Sequence, residues 1–209
     1  RPGAVVAEEI MRVLAPLGTA YVKRDGEWTK TVKPWPEEIG EWTHWLQDAG
    51  NNAVARDTRV GPPNHVQWKC GPMWARSHDR CPPSTAAMVS AGGRLFSIYD
   101  EGLIGLPRMP ARWTLIARDA FNGVLLWKRP LGHSDRWRLA AAGDCVFVTI
   151  DRNAPLSILD AATGEIRFTC DEAGRPERVM CSDGRVILYT QMDKKKHVVV
   201  VDPETGKIR

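Results

Sequence analysis

Residues 115–127, LIARDAFNGVLLW, contain the pattern that decides the fold, because it returns twice later in the chain. The second copy is LSILDAATGEIRF at residues 156–168, and the third copy occupies residues 198–209. Two turn residues mark each copy, and they are Asp119 with Gly123, Asp160 with Gly164, and Asp202 with Gly206. Consecutive aspartates are 41 and then 42 residues apart, as are consecutive glycines. A β-rich repeat of this length is typical of a β-propeller blade, which has ~40–45 residues.

Each copy has an apolar run on both sides of its turn. The Asp carboxylate can accept hydrogen bonds from turn amides, and the Gly allows the positive φ that closes a tight hairpin. An aromatic residue stands eight positions after the Asp, Trp127 in the first copy and Phe168 in the second. The pattern therefore predicts one β-hairpin in each copy.

Two further strands are predicted before each hairpin, since turn residues are followed there by β-branched and aromatic residues. The second strands begin near residues 92, 143 and 183, and short leading strands cover residues 86–90, 137–141 and 178–181. We therefore predict a mainly β fold, a partial β-propeller of about three four-stranded antiparallel blades with a short N-terminal α/β segment. A β-sandwich with similar turns is the alternative, and the agreement between the three copies favours the propeller. Residues 101–112 are predicted to form a loop at one rim.

The composition excludes several classes of protein. The chain has 209 residues, of which 43% are hydrophobic and 26% charged, values typical of a globular protein and not of a disordered one. No apolar run approaches the ~18 residues of a membrane span. The net charge of +4 is small and forms no basic stripe, so we expect no nucleic-acid partner. The lysines at 194–196 are predicted to lie at a hairpin tip.

The repeat resembles that of the pyrroloquinoline-quinone-like β-propeller superfamily, whose motif reads Ala-x-Asp-x-x-Thr-Gly-x-x-x-Trp. Here Ala117, Asp119, Gly123 and Trp127 match this motif, and the resemblance covers about residues 84–209. The chain departs from the motif where Asn122 replaces Thr, and in the second copy an aromatic other than Trp is present. The resemblance implies that Trp127 and the Phe168 that replaces Trp pack against the neighbouring blade.

The residues before the repeats resemble other parts of large bacterial proteins. Residues 36–68, with Trp42, Trp45 and Trp68, resemble the segment that leads into such propellers. Residues 8–22 predict a helix and then a strand, and they resemble the late helix-to-strand step of class I S-adenosylmethionine-dependent methyltransferases. Leu17 stands where that family usually has Gly.

Three segments are therefore expected. Residues 1–33 form the C-terminal tail of a methyltransferase-like α/β domain, and residues 34–68 form a Trp-rich connector with the strand that leads into the propeller. Residues 69–209 form the partial propeller. Because the last repeat stops shortly after its turn, we expect the chain to be a piece of a longer protein, whose remaining blades are its first partners.

No residue is assigned a catalytic, cofactor-binding or metal-binding role. Asp119, Asp160 and Asp202 stand at repeated turns, which favours turn capping over metal binding. The group Cys70, His78, Asp79 and Cys81 lacks the paired spacing of a zinc site, and a disulfide between the two cysteines is the alternative. His44 has no nucleophile or carboxylate at a spacing that suggests a dyad, so we expect it to be a packed or capping group.

The function expected from these observations is a non-catalytic scaffold or binding module of a larger bacterial protein. Its rim loops are expected to contact a protein, a peptide or a glycan. The alternatives are part of a pyrroloquinoline-quinone- and Ca²⁺-dependent oxidoreductase, or an accessory of an S-adenosylmethionine-dependent methyltransferase. The resemblance also implies a periplasmic location, and we expect no cofactor within this chain itself.

Overall fold

The computed structural model describes residues 7–59, 61, 64–71, 84–103 and 109–209. The chain forms two compact units, one of residues 1–40 with 56–64 and one of residues 41–55 with 65–209. The fold is mainly β, with four antiparallel sheets of two to four strands, and it is consistent with a partial β-propeller. Within the described part of the chain, no helix has the length and apolar character needed to span a membrane.

The first unit contains a short helix and a hairpin. Helix α1 is Ala7–Val13, and strands β1 (Thr19–Arg24) and β2 (Glu27–Val32) pair antiparallel. The helix and the first strand were predicted, whereas β2 was not. Asp25 and Gly26 both take positive φ in the connecting turn, the geometry of a two-residue hairpin, so this pair was the missed signal. Leu17, where glycine was noted to be usual, has φ of 63°.

The second unit contains three sheets that follow one another along the chain. The first has four strands, β3 (Thr85–Ala91), β4 (Arg94–Asp100), β5 (Trp113–Asp119) and β6 (Leu125–Pro130). The second also has four, β7 (Leu139–Ala142), β8 (Cys145–Thr149), β9 (Leu156–Asp160) and β10 (Ile166–Cys170). The strands of both sheets lie in chain order, as the meander of a propeller blade requires.

The third sheet has three strands, β11 (Arg175–Ser182), β12 (Arg185–Met192) and β13 (Lys195–Val201). A fourth strand was expected here, and the structure has only an isolated bridge between Val201 and Ile208 at that position. Asp193 and Lys194 alone form the turn between β12 and β13, so the lysines at 195 and 196 belong to the strand and not to the hairpin tip.

The leading strands lie close to their predicted positions, with one difference. Strands β3 and β11 include the predicted residues, but β7 begins at Leu139, because a 3₁₀ turn occupies Arg136–Arg138. The carboxylate of Asp135 accepts a hydrogen bond from the backbone N–H of Trp137 and so caps this turn. The cap explains why the strand starts later than its apolar pattern suggested.

Two apolar clusters fill the spaces between successive sheets. The first joins sheets one and two, and its fully buried members include Phe96, Ile98, Leu139 and Val146. The second joins sheets two and three and includes Phe147, Ile158, Leu188 and Val201. The second sheet therefore buries both of its faces, and its strands β8 and β9 are almost entirely buried. Face-to-face burial of this kind makes each sheet depend on its neighbour.

The Trp-rich connector has no strand among its described residues, which corrects the expected strand at the start of the propeller. Residues 34, 36, 62 and 63 are prolines, which lack the N–H that a strand ladder needs. Gln47, Asn51 and Ala53 take positive φ, so the chain turns repeatedly instead of extending. His44 and Gln47 form an isolated bridge within this segment.

Candidate ligand-binding groove

The three turn aspartates occupy equivalent positions in the structure. Each accepts hydrogen bonds at Oδ1 from one or two amides of its own turn, and the contacts measure 2.9–3.0 Å in all three. The N–H of the turn glycine donates to the aspartate carbonyl in each copy, Gly123 to Asp119 at 2.9 Å and Gly164 to Asp160 at 2.8 Å. Arg167 also forms an ion pair with Asp160, and Arg209 forms one with Asp202. Each arginine lies seven residues after its aspartate.

These contacts lower the pKa of two aspartates. The pKa of Asp160 is about 2, mainly because of its hydrogen bonds with Arg167, with turn amides adding to the effect. The pKa of Asp202 is lowered by Arg209 in the same way. Each of these carboxylates is therefore bound by groups of its own hairpin. The two do not form a common binding site.

Trp127, at the end of the first sheet, lies against the turn of the second. Its indole Nε1 donates to the carbonyl of Ala161 at 3.0 Å. A Cβ placed at Gly164 would lie 2.6 Å from the indole ring, so only glycine allows this approach. Phe168 also lies against Gly206, where an added Cβ would come 2.8 Å from the Phe168 Cβ and 3.1 Å from its ring at Cγ, but a phenyl ring has no N–H to donate.

Trp68 makes the same contact with the turn of the first sheet. This contact was not predicted from the sequence. Its Nε1 donates to the carbonyl of Ala120 at 3.1 Å, and a Cβ at Gly123 would lie 2.5 Å from its ring. The nearby Gln67 side chain donates to the carbonyl of Phe121 at 2.8 Å. The signal was present in the sequence, since Trp is followed by Lys at 68–69 as at 127–128. Insertions changed the spacing and hid the similarity.

Residues 41–44 contact the first strands of all three sheets. Trp42 O accepts from Ser90 N at 2.7 Å, Thr43 O accepts from Ala141 N at 3.0 Å, and His44 Nε2 accepts from Cys181 N at 2.7 Å. The three donors are the penultimate residues of β3, β7 and β11, so they occupy equivalent places. We call residues 41–44 the cross-sheet segment. It satisfies one backbone N–H group in each sheet.

The contacts of His44 fix its protonation state. The side chain is 5% exposed, and burial lowers its pKa, partly opposed by the charge of Asp48. Because Nε2 accepts from Cys181 N, the proton of the neutral ring lies on Nδ1. Nδ1 lies 2.7 Å from Thr43 Oγ1, which in turn donates to the carbonyl of Gln47. His44 is therefore a neutral structural acceptor.

A groove of about 600 Å³ opens where the first and second sheets meet. Its volume falls within the range of ligand-binding clefts. The residues that line it come from the connector, from the start of β3 and β5, from the link between β6 and β7, and from the link between β8 and β9. The lining includes three tryptophans, Trp45, Trp113 and Trp137, and two arginines, Arg136 and Arg152.

Arginines cover two of these tryptophans. The guanidinium of Arg136 lies 4.8 Å from the ring centre of Trp45, and that of Arg178 lies 4.3 Å from the ring centre of Trp137. Cation–π contacts of this kind stabilise by about 0.5–1 kcal/mol at exposed sites. The tryptophans therefore hold arginine side chains in place beside the groove.

His133 lines the groove but cannot act there as a base. Its Nδ1 accepts from Asp135 N at 3.0 Å, and its Nε2 contacts Thr149 O at 2.9 Å. Both nitrogens are therefore engaged, and burial lowers the pKa of the ring. Ser134 next to it consequently has no free histidine to activate it as a nucleophile.

A second cavity of about 660 Å³ lies between the second and third sheets. Cys145 and Cys181 line it, and burial raises the pKa of both thiols. Burial also raises the pKa of Cys170 to about 11. A raised pKa favours the thiol over the reactive thiolate, so these cysteines behave as packing groups.

The remaining candidates do not form a metal site in the described part of the chain. Cys70 is an exposed free thiol, while His78, Asp79 and Cys81 lie outside the described residues. No three His, Cys, Asp or Glu side chains of the described ranges come together as ligands. A Ca²⁺ ion held beside a quinone needs such oxygen donors. Within the described ranges no group of carboxylates marks a place for this ion, so no residue is assigned to hold it.

The family model described as outer membrane protein assembly factor BamB matches residues 111–209. No curated protein matches the chain. The similar solved structures include a europium-containing methanol dehydrogenase, at 15% identity and a TM-score of 0.49 over 81% of this chain and 31% of that one.

Two further structures are similar over 58% of this chain. Quinohemoprotein alcohol dehydrogenase ADHIIG from Pseudomonas putida HK5 is 21% identical, with a TM-score of 0.40 over 19% of its own length. BamB from Moraxella catarrhalis is 15% identical, with a TM-score of 0.35 over 34% of its length. The chain thus spans about a third or less of these proteins. The family match supports a pyrroloquinoline-quinone-like propeller repeat over residues 111–209.

Proposed function

We propose that residues 41–55 and 65–209 belong to a non-catalytic propeller that binds another protein through the groove beside Trp45. The stacking of Arg136 on Trp45 is the observation that carries this proposal. Tryptophan and arginine dominate the energetics of protein–protein interfaces, because both combine a broad apolar surface with polar groups at the edge. The groove combines both residue types, and His133 supplies it with no free base.

The predicted rim loop, residues 101–112, ends directly before a residue of the groove, and its residues 104–108 lie outside the described part of the chain. Asp100 closes the loop at its base, where its carboxylate accepts hydrogen bonds from Gly102 N and Arg112 N, both at 2.8 Å. Trp113, which lines the groove, directly follows the loop.

The finer assignments of the chain are part of the same proposal. Residues 1–33 are the tail of a methyltransferase-like domain, and further blades of the full-length protein complete the ring. The helix α1 and strand β1 have the order that such a tail requires. The alternative of a quinone-dependent oxidoreductase has no supporting set of donor residues in the described ranges.

The test is affinity capture from extracts of the cells that produce the protein, with quantitative comparison of two variants. Arg136→Glu places a carboxylate in the groove, and Arg185→Ala alters an exposed arginine outside it. We expect the wild type and Arg185→Ala to retain the same protein, and Arg136→Glu to lose it. Equal capture by all three forms would refute the proposed site. A bound quinone chromophore with dye-linked alcohol oxidation would refute the non-catalytic role.

A further inference from the structure

We infer that the groove binds an acidic peptide segment of the partner, an inference that rests on the proposed function. The charges of the groove point to this ligand. Arg136 and Arg152 line it, and within the described ranges neither forms an ion pair. Among the described residues of the lining, Asp135 is the only acidic one, and its carboxylate forms an ion pair with Arg138, with Nε and Oδ2 3.0 Å apart. Asp151, next to Arg152, also acts on His133 of the lining. Arg136, Arg138 and Arg152 still outnumber these two carboxylates, so the groove carries a net positive charge.

The stacking of Arg136 prepares it to bind a carboxylate. The indole of Trp45 covers one face of the planar guanidinium, whose N–H donors point outward in its plane. A carboxylate can accept two of these hydrogen bonds at once, and a guanidinium that is already positioned loses less freedom on binding. Arg152 can contact a second carboxylate of the same segment.

The apolar part of the lining fits a peptide better than a sugar. Ala86 and Trp113 supply apolar surface for a side chain that lies between two acidic residues. A pyranose ring binds by placing its C–H face on an open indole face, but Arg136 and Arg178 already cover one face of Trp45 and of Trp137. The ligand that matches both features is a segment with alternating acidic and apolar residues.

Fluorescence anisotropy of a labelled eight-residue peptide of alternating Asp and Leu tests the inference on the 209-residue chain. The matched neutral peptide has Asn in place of Asp, and an oligogalacturonate of similar charge serves as the glycan probe. We expect binding of the Asp peptide that weakens between about 0.05 M and about 0.5 M salt, because exposed charges are screened. We expect much weaker binding of both other probes.

Single variants connect the binding to the groove. Arg136→Ala and Arg152→Ala should each weaken binding of the Asp peptide about tenfold, the effect of losing one charge-assisted contact. Arg136→Lys should fall between, since it keeps the charge and loses the planar stack. Arg185→Ala, the matched control, should bind like the wild type. Because residue 136 is exposed, its replacement leaves the core intact.

Each contrary result has a distinct meaning. Equal binding of the Asn peptide, or no binding of the Asp peptide, refutes the acidic ligand. Tighter binding of oligogalacturonate than of the Asp peptide would refute a peptide ligand. The groove would then be a binding site for a glycan. Binding that Arg185→Ala weakens as much as Arg136→Ala refutes the groove as its site. Capture of a partner that depends on residue 136, without any peptide binding, would preserve the proposed function and refute this inference alone.

Discussion

Two kinds of contact hold the three sheets in place. One kind is made at the turns of the sheets, and the other is made at their first strands. Each turn is held by its own aspartate and by an aromatic ring from earlier in the chain, as Trp127 of the first sheet holds the turn at Gly164 in the second. The first strands are held by one segment, residues 41–44, which contacts all three sheets. The first kind of contact is repeated with each sheet, whereas the second is made once. The two regions should therefore respond differently to substitution.

The largest effect is expected at a repeated contact. Trp127→Ala removes a ring that lies 5.9 Å from Phe96, packs on the cluster between sheets one and two, and bonds to the carbonyl of Ala161. We expect it to lower the free energy of unfolding by about 3 kcal/mol, as large-to-small changes at packed aromatics do. Urea denaturation followed by circular dichroism measures the change.

The neighbouring residue provides the control for this prediction. Leu126 is 41% exposed on the same strand, so Leu126→Ala should change the free energy of unfolding by no more than about 0.5 kcal/mol. Equal effects of the two substitutions would mean that the strand as a whole, and not the docked ring, joins the first two sheets.

The second effect concerns the cross-sheet segment. His44→Ala leaves the N–H of Cys181 without its acceptor, and an unsatisfied buried donor costs about 1–3 kcal/mol. His44→Gln supplies a side-chain oxygen in its place and should recover part of that loss. If His44→Ala and His44→Gln unfold at the same urea concentration, the hydrogen bond to the third sheet contributes nothing.

The same residue predicts a pH dependence. Burial lowers the pKa of His44 below that of the unfolded chain, so the unfolded state binds more protons as the pH falls below about 6.5. Stability should therefore be complete above that pH and decline as the pH falls toward the lowered pKa. His133 has a lowered pKa as well and contributes in the same direction. His44→Gln should flatten part of the decline, and an unchanged slope would contradict a neutral His44.

The contrast between the two regions also explains what the sequence could reveal. The turns were predictable because Asp119, Asp160 and Asp202 recur at a fixed spacing with the same chemistry. The cross-sheet segment occurs once and contacts the sheets mainly through backbone carbonyls, which every residue has. The groove was unpredictable because Trp45, Trp113 and Trp137 are far apart in the chain and only folding places them together. The rim loop expected at residues 101–112 stays a prediction, because residues 104–108 lie outside the described part of the chain.

A smaller effect distinguishes two of the turns. The Asp160 carboxylate accepts hydrogen bonds from two turn amides, from Thr163 Oγ1 and from Arg167. The Asp119 carboxylate accepts hydrogen bonds from two turn amides. Asp160→Ala should therefore destabilise more than Asp119→Ala, by no more than about 1 kcal/mol, the usual value of an exposed ion pair.

Salt and acid test the origin of that difference. Added salt should reduce the difference in unfolding free energy between the two variants, because screening weakens the ion pair with Arg167 and leaves the hydrogen bonds from the turn amides intact. The wild type should lose the ion-pair contribution as the pH falls from about 3.8 through the pKa of about 2 of Asp160, since a lowered carboxyl pKa stabilises only above that range. If the difference in unfolding free energy between the two variants is unchanged at high salt, its cause is the hydrogen bond from Thr163 and not the ion pair.

The smallest effect is a gain, at the one docked ring that cannot donate a hydrogen bond. Phe168→Trp should place an indole N–H near the carbonyl of Pro203, which follows Asp202 as Ala161 follows Asp160. We expect an increase of about 0.5–1 kcal/mol in the free energy of unfolding, the value of one added hydrogen bond. Gly206→Ala should destabilise the wild type and Phe168→Trp alike, because an added Cβ would lie 2.8 Å from the Cβ that both side chains at residue 168 have. A loss on Phe168→Trp alone would show that the third turn differs in shape from the other two, and that its phenylalanine is adapted to that difference.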